Sequence, residues 1–202
     1  MYKRLLFLVC GVLVFSRLSY CEEPAASILS SSELLIFKLI PEESSAGFSA
    51  QSTLHDFSGV TNAIDGYLKI IPTDLENTAV SVVKVDPSKL TTGIKARDRW
   101  MKHDLEVTKY KEISWTLKNA KVRALDNQKG KLEITGTLDL HGVQKDITST
   151  VDVEIKDNKV IIDGETPLLM SDYGIKPSSM LFLKVKDKVV LKYHLAGKLS
   201  AP

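Results

Sequence analysis

Residues 131–155 read KLEITGTLDL-HGVQK-DITSTVDVEI, and the fold is decided here. Leu132, Ile134, Leu138 and Leu140 fall on one face of an extended chain, while Lys131, Glu133, Thr135, Thr137 and Asp139 fall on the other. After the turn residues His141 to Lys145 the alternation resumes. Ile147, Val151, Val153 and Ile155 oppose Thr148, Thr150, Asp152 and Glu154. A period of two with one dry and one wet face is the signature of antiparallel strands, and a short polar break between two such runs makes a hairpin.

The same period extends outward in both directions. Val60, Ile64, Leu68 and Ile70 alternate with polar residues, and Thr78 to Val85 reads as a more uniformly apolar strand. Ile113, Trp115 and Leu117 share a face before the phase slips to Ala120, Val122 and Ala124, which places a bulge near Lys118–Asn119. Lys156 to Lys159 forms a turn into Val160–Thr166. Leu181, Leu183 and Val185 then face Val189, Leu191, Tyr193 and Leu195 across a turn at Lys186-Asp187-Lys188. Leu35–Ile40 and Gly47–Gln51 are weaker additions. One segment, Ile94 to Val107, carries helical spacing with a wet face of Arg97, Asp98, Arg99, Lys102, His103 and Asp104. About eight strands, short turns and one helix predict an all-β, antiparallel barrel or sandwich in a single domain.

The N-terminus has a different character. Lys3 and Arg4 precede an apolar run from Leu5 to Phe15, and a polar exit follows at Glu22, Glu23 and Pro24. This pattern predicts a secretory signal over 1–21, too short for a membrane span, and hence an exported, periplasmic or secreted protein. Leu18-Ser19-Tyr20-Cys21 has two readings. In one, a lipobox acylates Cys21 and anchors the protein to a membrane. In the other, cleavage after Cys21 frees it. Either way no internal disulfide forms in the mature chain. Residues 22–33, with Ser30 to Ser32, form a linker, and the folded domain covers 34–202.

Composition agrees with a folded domain: 202 residues, 44% hydrophobic and 26% charged, with a net charge of +2. Lys3, Arg4 and Arg17 leave with the signal, so 27 basic residues become 24 against 25 acidic ones. The near-neutral remainder alternates in sign and offers no phosphate-binding surface, so nucleic acid is excluded as a partner. His55, His103, His141 and His194 lie too far apart in sequence for a local zinc pair, and no nucleophile elbow or phosphate-cradling loop is present. An enzyme would require these histidines to converge in space. The expectation is a protein without catalytic residues, metal or cofactor. The apolar side of the sheet remains, with Trp100, Trp115, Met101, Met170 and Phe182 as candidates for core or cavity.

Three stretches carry a family resemblance. Thr92-Gly93-Ile94-Lys95-Ala96-Arg97-Asp98-Arg99-Trp100-Met101, running into Tyr110-Lys111-Glu112-Ile113-Ser114-Trp115, resembles a T-x-n-x-x-R-D-x-h-L … k-Y-P-x-i-x-F block. Residues 132–145 resemble a v-x-G-x-L-T-l-x-G-v-t-k hairpin, and Ser171 to Lys176 a d-F-g-I strand end. In this order they resemble the YceI-like family of exported, lipocalin-like proteins, over residues 35–200. Met101 stands where Leu is usual and Glu112 where Pro is usual.

The resemblance implies a lipocalin-like barrel of about eight strands with a helix near one opening. It also implies a lumen for a polyisoprenoid or other long amphiphilic chain. The expected lining is Trp100, Met101, Leu105, Trp115, Leu117, Leu138, Leu140, Met170 and Tyr173. The alternative is a filled barrel that acts as an interaction or stress-related surface protein through His55–Val60 or Gly174–Met180. Pairing into a homodimer stays open.

Overall fold

The computed structural model describes residues 30–200 except 127, 157, 178, 181 and 182. The signal at 1–21, Cys21, and the linker up to residue 29 lie outside the described residues, as does Phe182. The strands are β1 (Leu35–Leu39), β2 (Ser45–Ser52), β3 (Phe57–Thr61), β4 (Ile64–Ile70), β5 (Val80–Val85), β6 (Ile113–Asp126), β7 (Lys129–Leu140), β8 (Val143–Lys156), β9 (Lys159–Leu169), β10 (Ser179–Met180) and β11 (Leu183–Leu199). Among the described residues two α-helices interrupt them, α1 (Leu75–Thr78) and α2 (Lys95–Asp104).

Every pairing is antiparallel, and the order β1-β4-β5-β6-β7-β8-β9-β11 closes on itself where Phe37 of β1 pairs with Leu199 of β11. The result is an eight-stranded closed barrel. β2 and β3 follow β1 and precede β4 across two breaks; β2 pairs with β11 and β3 with β2, with Val60 of β3 bridging to Thr91. The first break is the turn Pro41–Glu43. The second is at Asn62-Ala63, where Thr61 Oγ1 accepts the Ala63 N–H at 3.0 Å. That local turn inserts one residue of phase. Val60, expected on the inner face with Ile64, therefore points outward and is 49% exposed.

The phase slip in β6 sits where the sequence places it. Pairing with β7 jumps from Leu117↔Gly136 to Asn119↔Thr135, and the displaced Lys118 reaches Asp146 at 2.7 Å. Two turns are tighter than expected. The β7–β8 turn is only His141-Gly142, with φ of 55° and 74°, so residues 143–145 are already strand. The β8–β9 turn closes at Asn158, with φ of 59°. Both match the left-handed conformations that two-residue hairpins require.

The turn expected at Lys186–Lys188 does not form. These residues belong to one long strand, β11, in which four steps from Val185 to Val189 match two from Ser52 to Ala50. The surplus is a bulge, held because the Asp187 carboxylate accepts from both the backbone N–H and the hydroxyl of Ser171. The chain reverses earlier, between β10 and β11, where Met180 pairs with Leu183.

The two ends of the barrel differ. At one end Phe37, Ile70, Ile155 and Val160 pack into a dry plug, with Leu35, Leu68, Ala79 and Leu199 around it. At the other end, α2, in the connection from β5 to β6, lines the opening. Among the described residues no helix is long and apolar enough to cross a membrane. Gly142 tests the tight turn. Its φ is positive, and an added Cβ would come within 2.6 Å of the Tyr110 ring. Gly142→Ala is expected to lower stability by about 1–2 kcal/mol in urea titration, because the left-handed conformation penalises a side chain.

Candidate functional site

Inward positions of the strands are small or aliphatic, and the aromatic ones lie flat against the wall. The Trp115 ring rests where a Cβ on Gly136 would stand, 2.5 Å from the Trp115 Cε2 position. Tyr193 covers Gly164 and Phe48 covers Gly59 in the same way. Glycine on the neighbouring strand removes the side chain that would push each ring toward the axis. The rings therefore line the lumen without filling it, and a cavity of about 880 Å³ remains. Its wall runs from α2 at one end to Leu68, Ile70, Ile155 and Val160 at the other. That volume is toward the upper end of the roughly 300–1,000 Å³ of small-molecule sites.

Eight of the nine expected residues lie on this wall. Leu138, Leu140, Trp115 and Leu117 come from the adjacent strands β7 and β6, and Met170 follows β9. Trp100, Met101 and Leu105 come from α2 and its C-terminal end, at the opening. Trp100 is 51% exposed and forms part of the rim. The ninth, Tyr173, is not on the wall. It is 1% exposed and packs behind it with Leu138, Leu140 and Ile175. Its backbone carbonyl meets His141 Nδ1 at 3.1 Å, and burial, with the Asp172 charge nearby, pushes its hydroxyl pKa upward.

Residues 91–98 explain how the helix is held. The Asp98 carboxylate accepts the Thr92 N–H at 2.6 Å, the Thr92 hydroxyl at 2.5 Å and the Thr91 hydroxyl at 2.8 Å. Arg97 turns back to donate to the Thr92 hydroxyl and carbonyl, each at 2.9 Å, and its guanidinium sits 4.7 Å from the Phe57 ring. The Arg-Asp pair thus clamps α2 across the opening.

Hydrogen bonds from Thr92 above all, then Thr91, hold the Asp98 pKa below its ordinary value. A depressed carboxylate stabilises the fold above its unfolded pKa and loses that contribution as pH falls through the folded one. Trp100 emission is therefore expected to stay constant down to about pH 5 and to change below about pH 4, as the clamp protonates. Asp98→Asn should show the changed emission already at neutral pH.

Several wall residues were not anticipated. Ser149 and Thr166 are buried and face the lumen, as does Tyr193. The Tyr193 hydroxyl donates to Ser149 Oγ at 2.8 Å, and Ser149 Oγ donates to the Glu165 carbonyl at 3.2 Å. Their signal was the period itself: Ser149 is in phase with Ile147 and Val151, a polar residue on an otherwise dry face. Arg97 and Phe57 also line the opening. The histidines stay apart. His103 meets Asp104, His141 meets Tyr173, and His194 meets Asp163 at 2.6 Å, while the His55 backbone bonds Ser52. Among the described residues no three of His, Cys, Asp or Glu gather as a metal ion would need.

Comparison with known proteins bears on this geometry. The model of the YceI-like domain matches residues 37–196. BcnA of Burkholderia cenocepacia has a similar structure, at 16% identity and a TM-score of 0.69, covering 78% of this chain and 98% of its own. A polyisoprenoid binding domain from Saccharophagus degradans, implicated in plant cell wall breakdown, aligns at 17% identity and a TM-score of 0.64, over 82% of this chain and 99% of that one. The YceI protein of Campylobacter jejuni aligns at 19% identity and a TM-score of 0.57, over 74% and 88%. At such identities the likeness is one of fold. No curated protein sequence matches.

Proposed function

Because the chain belongs to the YceI-like family, we propose that it is an exported binding protein that carries or sequesters a long apolar chain, isoprenoid or fatty, inside its barrel. The observation that carries this reading is the apolar cavity of about 880 Å³ running from α2 to the plug around Phe37. A chain sheathed from water gains about 0.8 kcal/mol per buried methylene, so length alone supplies affinity and no reacting group is needed. The Saccharophagus domain, named for binding polyisoprenoids, supports the same ligand class. A barrel filled by its own side chains would not leave this space. Export rests on the basic and apolar start of the sequence, and the state of Cys21 decides between an anchored and a free protein.

The test is direct. Full-length protein purified from its native host is extracted with organic solvent, and the extract is analysed by mass spectrometry. A long apolar molecule at near-stoichiometric amount is expected; repeated clean preparations would overturn the reading. The intact mass of the same preparation reports whether Cys21 carries acyl chains.

A further inference from the structure

Among the described residues, three buried side-chain atoms lack a hydrogen-bond partner: His141 Nε2, the Tyr173 hydroxyl and Thr166 Oγ1. Of these residues only Thr166 lines the cavity, and it is 4% exposed. A buried hydroxyl without a partner is costly, so its presence on a dry wall asks for a partner that the chain does not provide.

The surroundings define that partner. Thr166 pairs with Leu191 of β11, and Tyr193 stands two residues further along that strand. Ser149 Oγ reaches the carbonyl of Glu165, the residue before Thr166 in β9, at 3.2 Å. Ser149, Thr166 and Tyr193 therefore form one hydroxyl cluster on the cavity wall. Tyr193 donates to Ser149, and Ser149 to the Glu165 carbonyl, so the donors of these two are used. Thr166 retains a free donor, and the Tyr193 oxygen can still accept. The inward neighbours on these strands, including Ile147, Val151, Ile162, Leu168 and Leu191, are apolar. The charged side chains nearby, Glu165 and Lys192, are exposed and pair with each other at 3.9 Å.

We propose that this cluster is a polar station for a neutral oxygen group, an alcohol or carbonyl, carried by the long-chain ligand. The inference rests on the lumen-binding reading and adds a chemical selection to it. A hydroxyl or carbonyl oxygen accepts from Thr166, and a hydroxyl also donates to Tyr193. A carboxylate would lose its hydration without a counter-charge and is disfavoured. A pure hydrocarbon leaves Thr166 unpaired.

Competition against the fluorescent probe N-phenyl-1-naphthylamine compares oleyl alcohol with cis-9-octadecene, which has the same chain without the oxygen. The wild-type protein should bind the alcohol about tenfold more tightly, the value of one well-made buried hydrogen bond. Thr166→Val keeps the side-chain shape and should erase that preference, with octadecene still bound. Retained octadecene binding shows that the variant is folded. Thr166→Ser, which restores a hydroxyl, should recover the preference. Equal affinities in the wild-type protein, or a preference that survives Thr166→Val, would overturn the polar station while leaving the lumen as an apolar site. Failure of both ligands to bind would overturn the lumen reading itself.

Discussion

Ile134→Trp is expected to remove binding of long apolar chains while leaving the protein folded. Ile134 lies midway along β7, on the cavity wall, between Ala120 of β6 and Ser149 of β8. Both neighbours are small, and the space before the side chain is lumen rather than packed core. An indole placed there meets empty volume, so the overpacking penalty that usually accompanies enlargement of a core residue is small. It does block passage along the axis. Excluding as few as four methylenes forfeits about 3 kcal/mol, roughly a hundredfold in affinity. Titration with a fluorescent fatty probe reads the loss, and a thermal melt within a few degrees of wild type shows that the barrel persists. Unchanged affinity would mean that ligands bind elsewhere.

Phe37→Ala is expected to have the opposite character, a large loss of stability. Phe37 is 0% exposed and sits at the seam where the barrel closes, paired with Leu68 of β4 and Leu199 of β11. Its ring packs in the cluster with Ile70, Ile155 and Val160 that seals the far end. Truncation of a buried Phe costs about 3–5 kcal/mol, from lost burial and from the cavity left behind. Against a typical total of about 5–15 kcal/mol, that is enough to bring the chain close to unfolding at physiological temperature. The midpoint of urea denaturation should fall accordingly; a shift below about 1 kcal/mol would show that the seam is held by other residues.

These two residues also mark what the sequence can and cannot say. The period-two runs announced β6 to β9, and even the bulge at Lys118–Asn119, because a phase slip in an alternating pattern is visible without coordinates. The break at Asn62-Ala63 was hidden, since Val60 is apolar and yet faces outward, and only the hydrogen bond from Ala63 to Thr61 reveals the inserted residue. The reversal expected at Lys186–Lys188 looked like a turn by composition, but the Asp187 carboxylate ties that segment to Ser171 and makes it a bulge.

For the site, the aliphatic wall residues were legible because inward phase and apolar character coincide. Tyr173 was misplaced, since an aromatic residue near a strand end gives no sign of whether it faces the lumen or packs behind the wall. Whether the barrel is open could not be read from strand patterns. It depends on glycines such as Gly164, directly across from Tyr193, and Gly136, diagonal to Trp115, positions that become visible only with the register.

A dry lumen that binds by length should discriminate among ligands that differ only in length. A series of straight-chain primary alcohols, from ten carbons upward, titrated against the purified protein, tests it most directly. Affinity is expected to rise about fourfold with each added methylene until the cavity is full, and then to level off. An affinity independent of chain length would contradict it.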